Sequence, residues 1–326
     1  MFTCWVRRCL KPLTVIDEDA KKWLQNLLEN SVYFNEPMSR HTSFHVGGPA
    51  DAFAIPKNLG VLIELVRGLG KRELKFLIIG HGTNLLVKDT GFRGVIVLLK
   101  KALDQIMVDS GDGIVTAMAG APLSRLCRFA LKNGLAGMNF ALGIPGTVGG
   151  GIATNAGTRL GNIGDVLNQV TVILPDGEIK NRTREKLGFS YRQLLWGNNS
   201  EGIANSAPII VSGYFSLTRD DPEKIRKEAR EIVTWRKKRQ PSWLPSAGCF
   251  FKNPASEKTA GQLIDLAGLK GKSSGGAEIS AKHANFIINR NNASAADILA
   301  LMKMIQETIW KKFNIVLEPE VRIIGD

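Results

Sequence analysis

The sequence predicts an α+β fold, and three observations support this prediction. Amphipathic helical patterns alternate along the chain with short apolar runs of strand length. Two pairs of these runs flank the turn sequences Gly111-Asp112-Gly113 and Pro175-Asp176-Gly177, which are typical of β-hairpins. The chain has 326 residues, of which 44% are hydrophobic and 22% charged, so it is long enough for two or three packed units.

The N-terminal half begins with a predicted helix at 17–30, because Ala20, Trp23, Leu24, Leu27 and Leu28 share one helical face. A strand at 52–55, a helix at 61–69 and a strand at 76–79 then predict a β-α-β unit. The hairpin strands are expected at 106–109, 114–119 and before Pro175 at 170–174. A helix is predicted at 122–133, ended by Gly134.

The last third of the chain opens on a strong helix start at Asp221-Pro222, and this helix is predicted to continue through Arg239. The Pro-rich segment 240–248 reads as a rigid connector that leads Cys249 into an aromatic strand. Beyond it we expect a helix at 261–267, a strand at 285–289, a helix from Ser294 with a Ser-x-x-Asp cap, and a strand at 317–324. Residues 1–15 show no periodicity and are expected to form a disordered extension.

The formal net charge of +13 indicates anionic partners. The densest basic cluster, residues 236–239, lies at a predicted helix end and is not interleaved with aromatic residues as a stacking platform would be, so small anions are expected rather than nucleic acid. No apolar run approaches the roughly 20 residues of a membrane span, and a cytoplasmic location is expected. The four cysteines have no metal-ligand spacing, which predicts reduced thiols and no metal site.

Two glycine-rich segments are the strongest indication of a ligand site. The second glycine segment, residues 143–157, contains six glycines, and the first, residues 78–87, breaks an apolar run at Gly80-His81-Gly82. Backbone without side chains can approach a large ligand closely, although a tight turn is the alternative interpretation. Leu85 replaces the third glycine of a Rossmann fingerprint, and Leu266 replaces the leading glycine of a P-loop. A dinucleotide held by a different fold is therefore expected.

Six motifs in order resemble the UDP-N-acetylenolpyruvoylglucosamine reductase (MurB) family. They are residues 42–50, 80–87 and 143–157, Ser190-Tyr191-Arg192, and residues 247–254 and 318–322. The resemblance covers residues 16–326 and implies a two-part FAD-binding domain of the vanillyl-alcohol-oxidase (PCMH) type, with subdomains at 16–100 and 101–220. It also implies a smaller α+β substrate-binding domain at 221–326, whose C-terminal strand returns to the active site. The short gap between Arg192 and Cys249 favours the second type of the family.

The resemblance implies a flavoenzyme of peptidoglycan precursor synthesis that uses NADPH and FAD to reduce an enolpyruvyl ether to UDP-N-acetylmuramate. Its implied catalytic residues are Arg192 for the substrate carboxylate, Cys249 as proton donor and Glu320 as partner of the developing enolate. The FAD-binding residues carried over are Gly47, Gly80, His81, Gly82, Thr83, Asn84, Leu85, Gly143, Ile144, Pro145, Gly146, Gly149, Gly150 and Asn155. Tyr191, Lys252 and Asn253 are the implied substrate contacts.

Cys249 departs from the family pattern, in which a serine usually occupies this place. A thiol with an ordinary pKa of about 8.5 stays largely protonated at neutral pH, yet it releases its proton more readily than a hydroxyl. Two alternatives stay open: another FAD-dependent oxidoreductase of the same fold, and a basic polyanion-binding protein. The sequence leaves the oligomeric state open, and a monomer is compatible with it.

Overall fold

The structure, a computed structural model, describes residues 16–100, 102–108, 113–196, 208–241 and 243–325. Its helices are α1 (Glu18–Leu28), α2 (Leu59–Lys71), α3 (Leu123–Lys132), α4 (Val148–Ala153), α5 (Pro222–Arg239), α6 (Ala260–Leu266) and α7 (Ala295–Phe313). None of the helices in these ranges is both long enough and apolar enough to cross a bilayer. The predicted extension at 1–15 lies outside the described residues.

The strands are short and numerous. They are β1 (Val32–Pro37), β2 (Pro49–Ala54), β3 (Phe76–Ile79), β4 (Leu85–Val87), β5 (Phe92–Leu98), β6 (Ile106–Val108), β7 (Ile114–Met118), β8 (Leu135–Ala136), β9 (Gly157–Thr158), β10 (Gly161–Asn162), β11 (Leu167–Ile173), β12 (Ile179–Thr183), β13 (Gly188–Ser190), β14 (Gln193–Leu195), β15 (Ile209–Ser216), β16 (Thr218–Arg219), β17 (Ser273–Ser274), β18 (Ala277–Ile279), β19 (Ile287–Asn289) and β20 (Arg322–Ile324). Together with the helices they confirm mixed α and β content.

The first sheet has the strand order β1-β2-β5-β3 and confirms the predicted β-α-β unit. β2 and β3 both pair in parallel with β5, and α2 connects them, while β1 adds an antiparallel edge. β3 ends at Ile79, directly before Gly80. The first glycine segment therefore begins at the carboxyl end of a parallel strand, the edge at which open α/β sheets bind ligands.

The second sheet is antiparallel, with the order β12-β11-β15-β7-β6. It contains both predicted hairpin pairs, β6 with β7 and β11 with β12. The turn at Pro175-Asp176-Gly177 is closed by a hydrogen bond from the Gly177 amide to the Leu174 carbonyl, 2.8 Å long, and Gly177 has φ +81°. Residues 109–112, the turn of the other hairpin, lie outside the described part. The central strand β15 was not predicted from the sequence.

A third sheet, β17-β18-β19, packs with α6 and α7 around a separate core that includes Phe250, Phe251 and Leu301. Most of its residues follow Ala247, but Phe44, Val46 and Leu86 from the first part of the chain also belong to it. Helix α5 instead packs against the first part of the chain, where Ala229 joins the larger core. The predicted domain boundary at residue 221 stays a prediction. Helix α5 packs with the part of the chain that precedes it, because its apolar face is buried there.

Three local expectations differ from the structure. The residues after Cys249 form no regular strand, only an isolated bridge between Phe251 and Pro319. The C-terminal strand is limited to β20. Residues 318–320 make only isolated backbone contacts, with residues 250–252. Part of the second glycine segment is helical, because Thr147 caps α4 by accepting a hydrogen bond from the Gly150 amide at 3.3 Å.

A third core contains residues of the first sheet and of β4, among them Phe53, Val87 and Ile96, and contacts between distant parts of the chain join the C-terminal unit to this region. β20 pairs in parallel with β4. The Asp89 carboxylate accepts hydrogen bonds from the amides of Ala295 and Ala296, at 2.8 and 2.9 Å, at the N-terminus of α7. An anion at this position satisfies two free amides and interacts favourably with the helix dipole. Asp89 therefore fastens the C-terminal unit to the turn between β4 and β5.

We predict that Asp89→Ala destabilises the protein by about 1–2 kcal/mol, because it removes the acceptor for two amides at a helix N-terminus. Thermal unfolding of the variant should begin at a lower temperature than in the wild type. Glu257→Ala, which removes a carboxylate from an exposed turn, serves as the control. Equal melting temperatures for the Asp89 variant and the wild type would show that this contact does not hold the two units together.

Candidate active site

A cavity of about 1530 Å³ lies between the two glycine segments, the β13–β14 hairpin, helix α5 and the residues around Cys249 and Glu320. Ligand pockets are commonly about 300–1,000 Å³, so this one has room for a dinucleotide together with part of a second ligand. Most of the residues predicted for the site line it. They are Gly80, His81, Gly82, Thr83, Asn84, Leu85, Ile144, Pro145, Gly146, Gly150, Asn155, Tyr191, Arg192, Cys249, Asn253 and Glu320.

The two glycine segments meet to form one wall of the cavity. The Thr83 hydroxyl donates to the Pro145 carbonyl at 3.3 Å. A Cβ atom on Gly80 would lie 2.3 Å from Thr147 Oγ1, and one on Gly82, where φ is +61°, would lie 2.1 Å from the His41 carbonyl oxygen. Side chains at these two positions would collide with their neighbours, which explains why the sequence has glycine there.

This wall contains backbone amides that can donate hydrogen bonds to a ligand. None of the backbone amides of residues 80–83 donates to another group in the described ranges. His81 Nε2 is buried without a hydrogen-bond partner among the same residues, and burial lowers the pKa of His81, so the imidazole is neutral near pH 7. Buried donors and acceptors without partners are costly, so they fit a site completed by a polar cofactor such as FAD.

Three glycines predicted to contact FAD do not line the cavity. A Cβ atom would lie 2.8 Å from Val87 at Gly47, 2.8 Å from the Arg236 side chain at Gly143 and 2.8 Å from Ala119 at Gly149. Each of these glycines therefore allows close packing of the protein against itself. Their predicted role as direct FAD contacts has no support in this geometry.

Arg192 projects into the cavity from the turn of the β13–β14 hairpin. It is a non-glycine residue in the left-handed region, with φ +61°, a conformation that costs on the order of 1–3 kcal/mol. Its Nη1 donates to the Gly157 carbonyl at 2.8 Å, and its Nε lies 2.8 Å from Glu320 Oε1. The Nε–H is not aligned with that oxygen, so the contact is an ion pair rather than a good hydrogen bond.

Asn155 holds this hairpin in place. The residue is buried, and its side chain donates to the Ser190 carbonyl at 3.0 Å and accepts from the Gly164 amide at 3.0 Å. Both ends of the amide are therefore occupied by protein. Asn155 links the second glycine segment to the residues directly before Tyr191 and Arg192, and its side-chain amide acts on the position of the hairpin.

Cys249 is positioned by the residues that follow it. The Phe250 amide donates to the Asn285 carbonyl at 2.7 Å, and the buried Asn285 side chain bonds both the amide and the carbonyl of Phe251. Burial, and secondarily the charge of Glu320, raises the pKa of the Cys249 thiol to about 12, against the opposing effect of Arg192. The thiol is therefore protonated throughout the physiological pH range.

Glu320 lies beside Cys249 because its amide donates to the Phe250 carbonyl at 2.8 Å. Burial raises the pKa of the Glu320 carboxyl, although Arg192 and Lys252 favour the ionised form. The carboxyl group consequently keeps its proton to a higher pH than an exposed glutamate does. Arg192, Cys249 and Glu320 thus combine a planar cation, a neutral acid and a carboxyl group within one cavity.

The implied substrate contacts behave differently from one another. The Tyr191 hydroxyl accepts a hydrogen bond from the Asn253 amide at 3.3 Å, so these two residues are joined at the rim of the cavity. Lys252 does not line the cavity, because its Nζ pairs with Glu318 at 3.2 Å. The positive charge of Lys252 nevertheless lowers the pKa of the Glu320 carboxyl group.

Arg236 also lines the cavity, whereas the sequence predicted it only as part of the basic cluster at the end of a helix. Its Nη2 donates to the Gly143 carbonyl at 3.0 Å, while its Nε is buried without a partner among the described residues. Burial lowers the pKa of Arg236. Spacing could have indicated this position, because Ile225, Ala229 and Arg236 fall on one face of α5 at i, i+4 and i+11.

Comparison with known proteins identifies related families and sequences. Residues 50–182 match the family model of the FAD binding domain, and residues 240–324 match that of the UDP-N-acetylenolpyruvoylglucosamine reductase C-terminal domain. A UDP-N-acetylenolpyruvoylglucosamine reductase from Desulfosudis oleivorans is 44% identical over 95% of this chain and 100% of its own length. One from Halalkalibacterium halodurans is 42% identical over 95% of this chain and 99% of its own.

Among solved structures, MurB from Thermus caldophilus superposes with a TM-score of 0.74 at 33% identity, covering 90% of this chain and 98% of that one. This similarity and the two family models confirm the predicted FAD-binding fold with a second domain.

We predict that Gly82→Ala lowers the amount of FAD that copurifies with the protein by roughly tenfold, because the new methyl group displaces the first glycine segment. Gly271→Ala is the matched control. Gly271 also has positive φ, +76°, but a Cβ atom there would meet open space, so its flavin content should equal the wild type's. Flavin absorbance per polypeptide measures both. Full FAD content in Gly82→Ala would remove this segment from the cofactor site.

Proposed function

The chain belongs to the UDP-N-acetylenolpyruvoylglucosamine reductase (MurB) family, and we propose that the reaction of this family takes place in the cavity between the glycine segments. The protein is an FAD- and NADPH-dependent oxidoreductase that reduces UDP-N-acetylenolpyruvoylglucosamine to UDP-N-acetylmuramate for peptidoglycan synthesis. FAD, held by the first glycine segment and residues 144–146, would supply the chemistry that transfers hydride from NADPH to the terminal carbon of the enolpyruvyl ether. The observation that carries the proposal is the convergence of Arg192, Cys249 and Glu320 from separate segments.

Arg192 binds the carboxylate of the enolpyruvyl group in this proposal. Its planar guanidinium can donate two parallel hydrogen bonds to a carboxylate, which a lysine cannot imitate. Negative charge develops on the carbon next to this carboxylate when hydride arrives at the terminal carbon. A cation already held by the Gly157 carbonyl and by Glu320 stabilises that charge without further reorganisation.

Cys249 donates the proton that completes the reduction. The raised pKa of the thiol keeps the proton on sulfur until a carbanion, a much stronger base, develops beside it. The thiolate left behind is compensated by the positive charges of Arg192 and Arg236, which both lower the pKa of Cys249. A thiol therefore replaces the usual hydroxyl as the acid at this place in the chain.

Glu320 stabilises the enolate by donating a hydrogen bond in its protonated form. Its raised pKa supports this role, since burial favours the neutral carboxyl. The same carboxyl, when ionised, pairs with Arg192. Binding of the substrate carboxylate to Arg192 would give the guanidinium a new anionic partner, which favours proton uptake by Glu320.

The remaining predicted residues are assigned to binding. The first glycine segment and Ile144, Pro145 and Gly146 contact FAD, and Tyr191 and Asn253 contact the sugar nucleotide. Lys252 acts on the site through its charge. Both NADPH and the UDP-sugar are anions, in agreement with the net charge of +13. We place the protein in the cytoplasm, because the substrate and the coenzyme are found there.

The direct test mixes the FAD-loaded protein with NADPH and follows nicotinamide absorbance with and without UDP-N-acetylenolpyruvoylglucosamine. We expect NADPH oxidation that depends on the sugar nucleotide and consumes one equivalent for each molecule of product. Oxidation that is unaffected by the sugar nucleotide would instead favour another oxidoreductase of this fold. A colourless preparation that does not bind FAD would contradict the flavoenzyme assignment as a whole.

We predict that Cys249→Ala separates the two half-reactions. Reduction of the flavin by NADPH should stay near the wild-type rate, while reoxidation by the sugar nucleotide should slow by roughly 100-fold or more, because the proton donor is lost. Cys249→Ser keeps a donor and should retain appreciable turnover. Stopped-flow absorbance of the flavin measures both steps. Unchanged reoxidation in the Ala variant would remove Cys249 from the mechanism.

We predict that kcat/KM for the sugar nucleotide falls as the pH rises through the raised pKa of Glu320, because the carboxyl group then loses its proton. The required protonated form is present below that pKa and is lost above it. Cys249, with a pKa of about 12, contributes no loss in this range. Glu320→Gln keeps a hydrogen-bond donor that does not titrate, so its profile should be flat between about pH 5 and 9. An identical alkaline loss in the Gln variant would contradict this role.

A further inference from the structure

The segment at residues 42–46 belongs to one of the six motifs, but the reaction described above uses none of its residues. It lies directly behind the first glycine segment, since a Cβ atom on Gly82 would lie 3.0 Å from Thr42 Cα. The Phe44 side chain is buried in the core of the C-terminal unit, with its ring centroid 6.3 Å from that of Phe250. The segment therefore contacts both the wall proposed to hold FAD and the residues around the proposed proton donor.

Ser43 makes hydrogen bonds to both sides. Its amide donates to the Gly82 carbonyl at 3.1 Å, and its hydroxyl donates to the Ser246 carbonyl at 2.7 Å. Gly82 belongs to the first glycine segment, and Ser246 lies three residues before Cys249. One residue thus connects the cofactor wall to the segment that carries the thiol.

The segment that leads to Cys249 is held mainly at its ends. Asn289 supports its first end, because its amide donates to the Pro245 carbonyl at 2.9 Å and its buried side chain donates to the Phe44 carbonyl at 2.9 Å. The backbone amides of residues 246–249 donate to no group within the described ranges. A Cβ atom on Gly248, where φ is +79°, would meet open space. The hydroxyl of Ser43 is therefore a main restraint on this stretch of backbone.

We propose that Ser43 is a positioning residue that fixes Cys249 relative to the first glycine segment, and thereby relative to FAD. This inference rests on the proposed function, in which hydride from the flavin and the proton from Cys249 reach adjacent carbons of one enolpyruvyl group. A displacement of about 1 Å between reacting groups can slow a reaction by roughly 100-fold. Ser43 does not line the cavity, so it acts through the position of Cys249 and not on a ligand.

The first test compares the two half-reactions of Ser43→Ala by stopped-flow absorbance of the flavin. Reoxidation by the sugar nucleotide should slow by roughly tenfold, while flavin content and reduction by NADPH stay near the wild type. Ser43→Thr keeps the hydroxyl and should restore most of the rate. Thr308→Ala is the matched control, because it removes a hydroxyl that donates to the Met304 carbonyl at 2.7 Å on α7, away from the cavity.

The same substitution in the Cys249→Ala background shows whether Ser43 acts through the thiol. That background has already lost the proton donor, so the double variant Ser43→Ala, Cys249→Ala should reoxidise no more slowly than Cys249→Ala alone. Equal slowing by Ser43→Ala in both backgrounds would mean that Ser43 acts elsewhere in the site, and it would overturn the proposal.

Alkylation of Cys249 by iodoacetamide gives a readout that does not depend on turnover. The thiol has a pKa of about 12 because it is buried, so a less firmly held segment exposes it and lowers that pKa. In the FAD-loaded protein without NADPH or sugar nucleotide, Cys249 should react several-fold faster in Ser43→Ala than in the wild type or in Thr308→Ala. Mass spectrometry of the peptide that contains Cys249 measures this rate.

Wild-type rates of both reoxidation and alkylation in Ser43→Ala would overturn the positioning role and leave the proposed function intact. Reduced wild-type protein whose flavin is not reoxidised by the sugar nucleotide would overturn the proposed function itself.

Discussion

The ion pair between Arg192 and Glu320 is the contact on which the site depends. It joins the β13–β14 hairpin to the C-terminal segment, and Cys249 lies beside the same two groups. Burial raises the pKa of Glu320 while Arg192 lowers it, so the proton on this carboxyl is sensitive to whatever else binds the guanidinium. Removing one partner of this partly buried pair leaves the other charge less well compensated, which couples the stability of the site to its chemistry.

The fold supports this pair with backbone contacts from three directions. Asn155 fixes the hairpin, the Gly157 carbonyl fixes the guanidinium, and the Phe250 carbonyl accepts from the amide of Glu320. Arg192 is also held at a positive φ that an unsupported arginine would avoid. Such preorganised groups stabilise the charge of the transition state, since their dipoles need not move as that charge develops. The glycine segments have the complementary function of leaving space for the cofactor.

Local sequence signals predicted those elements whose causes are local. The cap at Ser294 with Asp297, the helix start at Asp221-Pro222 and the turn before Gly177 all appear where the sequence indicated them. The catalytic set came from the order of family motifs and not from physical reasoning. Contacts between distant segments were missed. Helix α4 forms within glycines partly because Ala119 packs against Gly149, and no propensity scale indicates that contact. Ser43 and Ser246 meet for the same tertiary reason.

A crystal structure of the protein with FAD and UDP bound would test the proposed arrangement of the active site. We expect the isoalloxazine ring to lie against the first glycine segment and residues 144–146, with its reactive N5 facing the space between Arg192, Cys249 and Glu320. An isoalloxazine ring bound elsewhere, or one whose N5 faces away from these three side chains, would show that these residues do not form the active site.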